Sequence, residues 1–144
     1  MTALTQGNGD DLVARYKRAR ETRDVDAMME LYRDDADVRT DPFDEHVAGG
    51  LAIRARWNQV AADQASVEFD AERVWVSGPT ALVAWHGAWT RRGTAERMRE
   101  RGFMTLELDD DRLIVRERHW TIRHVVGTDS TLHPETPSGA GTTD

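Results

Sequence analysis

The chain has 144 residues, 39% of them apolar, with a formal charge of −7 from 26 acidic and 19 basic side chains. That length predicts one domain, and the acidic balance argues against general binding to nucleic acid or to an anionic membrane. Cysteine is absent, which excludes disulfides, thiolate metal sites and a cysteine nucleophile. Only Lys17 among the basic residues is a lysine, and the arginines are scattered, so they read as compositional bias rather than a phosphate-binding array. No basic, then apolar, leader opens the sequence, and the longest apolar run, 81–85, is far short of the roughly 18 residues that span a bilayer. The expectation is a cytoplasmic protein.

Residues 1–9 are small and polar and are expected to be flexible. Residues 10–126 form the expected folded unit, and 127–144, rich in Gly, Ser, Thr and Pro, a disordered tail. Within the unit, Leu12, Val13, Tyr16 and Ala19 recur on one helical face, with Asn8 or Asp10 as cap. Asp24 caps a second helix whose apolar face is Ala27, Met28, Leu31 and Tyr32. Residues 36–40 are compatible with a short strand. Asp41-Pro42 signals a turn and Gly49-Gly50 a second break. A third helix carries Leu51, Ile53, Trp57, Val60 and Ala61 on one side. Four runs rich in β-branched and aromatic residues follow, at 66–76, 80–90, 96–108 and 113–122, joined by short breaks that predict hairpins. The fold class is α+β: three N-terminal helices packed on a strongly curved antiparallel sheet, a cone with an internal pocket.

That order of elements resembles the nuclear transport factor 2-like superfamily, which includes the SnoaL-like polyketide cyclases and ketosteroid isomerase. Three segments carry the likeness: DVDAMMELYRDDADV at 24–38, TDPFDEHVAGGLAIRARW at 40–57 and DDDRLIVRERHW at 109–120. The resemblance implies roles for two residues. Tyr16 would donate a hydrogen bond to a developing oxyanion, and Asp41, immediately before a proline, would move the proton. A carboxylate base and an oxyanion donor are what proton abstraction beside a carbonyl requires. The superfamily's second oxyanion donor does not carry over, since Met104 stands at its place; there Met104 is expected to contact the substrate. Asp41 also fits a plain Asp-Pro turn, and Tyr16 plain core packing.

In the second strand run, Leu82, Ala84, His86 and Ala88 alternate with Ala81, Val83, Trp85, Gly87 and Trp89. The resemblance assigns the His86 face to the pocket. There His86 would act as a second acid or base, with Ala84 and Ala88 leaving room for a ligand. Val83, Trp85 and Trp89 would then form an outer apolar patch, which predicts a homodimer through the outer sheet face. In the last run, Glu117 and His119 share one face and Arg116, Arg118 and Trp120 the other. A one-residue slip exchanges them: pairing across to Glu107 and Thr105 puts the arginines outside, whereas the resemblance turns Trp120 inward, and the sequence leaves both registers open. Trp57 matches an aromatic that lines the cavity in the superfamily and also fits the core. Asp44, Glu45 and His46 have no metal-ligand spacing and read as a solvated loop. The expectation is therefore a small-molecule pocket working by acid–base chemistry on a carbonyl or polycyclic substrate, with no cofactor and no metal. A non-catalytic pocket for an apolar ligand and a dimerisation domain are the alternatives.

Overall fold

The computed structural model describes residues 2–41, 43 and 46–128. Three helices, α1 (Gln6–Thr22), α2 (Val25–Met29) and α3 (Gly50–Asp63), accompany six strands. These are β1 (Tyr32–Arg39), β2 (Val47–Ala48), β3 (Gln64–Ser77), β4 (Thr80–Arg91), β5 (Glu96–Leu108) and β6 (Ile114–Thr128). They form one sheet in the order β2-β1-β6-β5-β4-β3. β3 to β6 are consecutive antiparallel hairpin neighbours, as the short breaks imply.

Four expectations need correction. The sheet is mixed, because β1 pairs in parallel with β6: the chain leaves β1, runs through α3 and the meander, and returns beside it. Second, the sheet is not strongly curled. Its register shifts are local, two of them in the β3–β4 pairing, while the β4–β5 ladder runs unbroken from Thr80↔Glu107 to Thr90↔Arg97. A bulge bends a strand only where it occurs. Third, α1 starts at Gln6, because Thr5 and Asn8 form a reciprocal capping box: the Thr5 hydroxyl accepts from Asn8 N–H at 3.1 Å and Asn8 Oδ1 from Thr5 N–H at 3.0 Å. Leu4 N–H also bonds to Gly78 O at 2.8 Å, so residues 2–9 are tied to the fold rather than loose. Fourth, Tyr32 opens β1 instead of closing α2, which Asp24 caps as expected. Residues 127 and 128 belong to β6; the remainder of the expected tail lies outside the described residues.

α1 packs on β3, and a close approach is possible because a Cβ at Gly9 would stand 2.8 Å from Val76 Cγ1. The core lies between the helices and one sheet face: Leu12, Val13, Tyr16 and Ala19 from α1, Ile53 and Trp57 from α3, and Phe69, Val83, Trp85, Met104 and Leu106 from the strands. Leu51 is exposed and takes no part in the α3 apolar face expected for it. Among the described residues no helix is long and apolar enough to cross a membrane.

The face of β4 that points inward carries Ala81, Val83, Trp85 and Trp89, the reverse of the expectation. Each buried aromatic removes about 150–250 Å² from water, worth roughly 4–6 kcal/mol before entropy at about 25 cal/mol per Å². The alternative set of Leu82, Ala84, His86 and Ala88 offers far less apolar surface and would bury an imidazole. Burial of the two tryptophans therefore sets the phase of the strand.

Candidate functional site

A cavity of about 300 Å³ opens between α1, α3, the end of β1 and the inner sheet face. Tyr16 and Arg20, one turn apart on α1, line one wall; Arg56, Trp57 and Val60 of α3 line another. Thr40 and Asp41 border it where β1 ends, and Trp85, Glu100, His119, Thr121 and Arg123 form the sheet side. Their strand positions follow from pairing: Trp85 opposes Gly102, which opposes Thr121, and Gly87 opposes Glu100, which opposes Arg123. The absence of a side chain at Gly102 lets the Trp85 indole lie over it. A Cβ there would stand 3.0 Å from Trp85 Cε2 and Cζ2 and 2.8 Å from Trp120 O.

Tyr16 is held by rings, edge-on to Trp57 at 6.0 Å and tilted against Phe69 at 5.2 Å. Burial and the nearby Glu117 charge push its hydroxyl well above the ordinary tyrosine range, against the pull of Arg20 and Arg56. Tyr16 is thus a proton-bearing donor at neutral pH. Asp41 is half-buried, and its Oδ1 accepts the Phe43 N–H at 2.9 Å, the turn contact expected of Asp before proline.

Behind the cavity wall lies a buried polar chain. Trp57 Nε1 donates to the Tyr32 hydroxyl at 3.3 Å, which donates to Glu117 Oε1 at 2.6 Å. The other oxygen of Glu117 bonds to His119 Nε2. Burial pushes the Glu117 carboxyl upward, but the His119 charge, the bonds from His119 and Tyr32 and the Arg56 charge prevail and hold it below the usual range. Tyr32 is pushed far up by burial and by Glu117. Glu100, also buried, accepts Trp89 Nε1 at 2.9 Å and Arg123 Nε at 2.7 Å. Both buried carboxylates are therefore answered by donors, as burial of charge requires.

The structure brings Asp41, Tyr16 and Trp57 to one cavity. It does not bring the others there. His86 is on the outer face, its Nδ1 3.0 Å from Glu72 and its Nε2 3.9 Å from Asp70. Ala84 and Ala88 share that outer face, because β4 is phased by its tryptophans. Met104 faces inward but is fully buried in the core and does not line the cavity. Trp120 points outward, 46% exposed and 6.2 Å from Phe103, since pairing His119 with inward Met104 leaves Trp120 beside outward Phe103. His46 sits on Asp37 at 2.9 Å, while Asp44 and Glu45 lie outside the described residues. Among the described residues no group of three or more His, Asp or Glu is placed to hold a metal.

Four charged cavity residues were not singled out from sequence: Arg20, Arg56, Glu100 and Arg123. Glu100 alone carries a usable signal, being in phase with Met98, Met104 and Leu106, an acid inside an apolar alternation. Glu117 and His119 were paired on one face, but with no face assigned.

Residues 13–117 match the SnoaL-like domain family. No curated protein matches the chain in sequence. Among solved structures the chain is similar to the epoxide hydrolase/cyclase-like enzyme SalBIII of pyran ring formation in polyether salinomycin, at 20% identity and TM-score 0.75, covering 84% of this chain and 98% of that one. It is similar to an LEH-like epoxide hydrolase of Mycobacterium tuberculosis, at 16% identity and TM-score 0.69, covering 81% and 84%. A protein of ketosteroid isomerase-like fold from Catenulispora acidiphila, solved with trimethylamine, is similar at 12% identity and TM-score 0.68, covering 76% and 83%.

Proposed function

The chain belongs to the SnoaL-like domain family, and from that premise we propose that it is a small-molecule pocket protein that performs cofactor-free acid–base chemistry on a carbonyl or polycyclic substrate. The observation that carries this reading is the convergence of Asp41, Tyr16 and His119 on one cavity. In the proposed reaction Asp41 removes a proton from the substrate, and its carboxylate makes no ion pair among the described residues that would compete for it. The Tyr16 hydroxyl donates to the oxygen that gains charge. Its raised pKa keeps the proton on the tyrosine, so the interaction is a strong hydrogen bond rather than a transfer. His119, oriented by Glu117 through the buried chain, delivers its own proton to the substrate as the second acid, and exchange with solvent removes the proton from Asp41 and restores the one on His119. It takes the role that the sequence reading gave to His86. The similarity to proteins whose descriptions name an epoxide hydrolase and a cyclase-like enzyme supports chemistry of this general kind.

The experiment is deuterium exchange at carbon, followed by NMR, on a panel of β,γ-enones and β-keto compounds. The wild-type protein is expected to catalyse exchange in at least one. Asp41→Asn is expected to lose it by about 10²-fold or more while melting within a degree or two of wild type, because the amide oxygen keeps the Phe43 contact. Tight binding without exchange in any member would replace this reading with that of a non-catalytic pocket.

For assembly, a second copy of this chain is the proposed partner, through the outer sheet face. The residues concerned are not the tryptophans expected from sequence, Trp85 and Trp89, which are buried. They are Trp75, Phe103 and Trp120, a row with ring separations of 6.3 and 6.2 Å, and the neighbouring exposed Ile122.

A further inference from the structure

We propose that the ligand of this cavity carries a carboxylate, or a similarly compact anionic oxygen group, held by Arg20 and Arg56 with the indole N–H of Trp85. The inference rests on the cavity being the functional pocket and goes beyond it by naming the charge of what binds there. Five buried side-chain nitrogens among the described residues have no hydrogen-bond partner, and three of them, Arg20 Nε, Arg56 Nε and Trp85 Nε1, belong to residues that line this one cavity. Trp85 is only 3% exposed, so water in bulk does not serve its donor. Buried donors left without acceptors are uncommon in native proteins and call for a partner.

The charge inventory points the same way. Arg123 is matched by Glu100 at 2.5 Å, while Glu117 bonds to His119 and also feels the Arg56 charge. Arg20 donates to the neutral Gln64 at 3.2 Å, and neither Arg20 nor Arg56 makes an ion pair among the described residues. Both guanidinium groups pack on the same ring, with centroid distances to Trp57 of 5.6 and 5.5 Å. Two like charges held against one buried indole repel each other, and an anion beside them removes that repulsion. The planar fork of an arginine, Nε with Nη, fits two oxygens of a carboxylate. Among the described residues that line the cavity, three arginines, Arg20, Arg56 and Arg123, face two carboxylates, Asp41 and Glu100.

The test is calorimetric titration of the full chain with matched pairs, 2-naphthoate against 2-naphthamide first, then benzoate and cyclohexanecarboxylate with their amides, at low salt. The carboxylate of at least one pair is expected to bind at least tenfold more tightly than its amide. Arg56→Gln is expected to reduce that preference several-fold and Arg20→Gln/Arg56→Gln to abolish it. Trp85→Phe, which keeps a ring and deletes the N–H, is expected to weaken carboxylate binding more than amide binding. Arg92→Gln controls for net charge, since Arg92 also has an unpartnered Nε but lies away from the cavity, and should keep the preference. Equal binding of acid and amide, binding by no acid in the set, or a preference that survives in the double variant would overturn the proposal. Asp41→Asn separates the two readings: it should keep or sharpen the carboxylate preference even as exchange is lost. A preference that holds while Asp41→Asn leaves exchange intact would count against the catalytic reading and not against the anion subsite.

Discussion

The Tyr32 hydroxyl donates to Glu117 Oε1 at 2.6 Å, joining residues 85 positions apart at the start of β1 and near the start of β6. The contact ties the parallel β1–β6 pair to the interior and leaves the other Glu117 oxygen for His119. A buried carboxylate with all its partners in place is a sensitive point for both stability and pH response.

Glu117→Gln should destabilise the protein by about 2 kcal/mol at pH 7, in the range for hydrogen bonds to a charged group. The sign of the pH effect follows from the lowered Glu117 pKa. A carboxyl held below its unfolded value of about 4.3 contributes stability that is complete above that value and is lost as pH falls through the folded one. Asp35, Asp37 and Asp110 are shifted in the same direction, so the measurable quantity is the difference between variant and wild type. Urea titrations from pH 7 down to pH 3 should show that difference shrinking on the acid side. A difference constant with pH would mean that Glu117 is not charged in the fold.

Tyr16→Phe should lower the rate of exchange by about 10²–10³-fold, the usual effect of removing one oxyanion donor. The ring contacts with Trp57 and Phe69 survive the change, so the melting temperature should move little. A large drop in Tm with an unchanged rate would make Tyr16 a packing residue only.

The proposed reaction gives His119 the role that the resemblance implied for His86, and a pair of variants tests this. His119→Gln should reduce turnover by about 10²-fold or more, as for loss of a general acid or base. His86→Ala should leave turnover unchanged, because His86 is across the sheet from the cavity. It should also change stability by less than about 1 kcal/mol, since its pairs with Glu72 and Asp70 are roughly half exposed. Loss of turnover in His86→Ala with His119→Gln silent would reverse the assignment.

The outer row of Trp75, Phe103 and Trp120 should bring two copies together. Light scattering at micromolar concentration should give twice the chain mass of 16.3 kDa, and Trp120→Lys should halve it without lowering the helix or strand signal in circular dichroism. A wild-type monomer would leave the row as exposed surface without a partner of this kind.

Local features of the chain were legible from sequence alone. The 3.6-residue spacing of Leu12, Val13, Tyr16 and Ala19 located the inner face of α1, Asp24 capped α2, and the breaks at Ser77-Gly78-Pro79 and Asp109-Asp110-Asp111 located the hairpins. Each of these depends on neighbours within a few residues, which the sequence states directly. The inner face of the sheet was a different matter. Alternation has a period of two and looks the same from either side, so β4 could be read with His86 inward or with Trp85 inward. Comparing the apolar area of the two sets favours the tryptophans, whereas the likeness to other proteins implies His86 inward. The same ambiguity hid the inward direction of Glu117 and His119 and the outward direction of Trp120. The parallel pairing of β1 with β6 was likewise invisible, because its partners are about 80 residues apart and share no turn. The site itself is a product of that long-range pairing. Tyr16, Asp41, Trp57, Glu100 and His119 come from four separate elements and the loop after β1, and only the packing of helices on a sheet of settled register puts their polar atoms around one cavity.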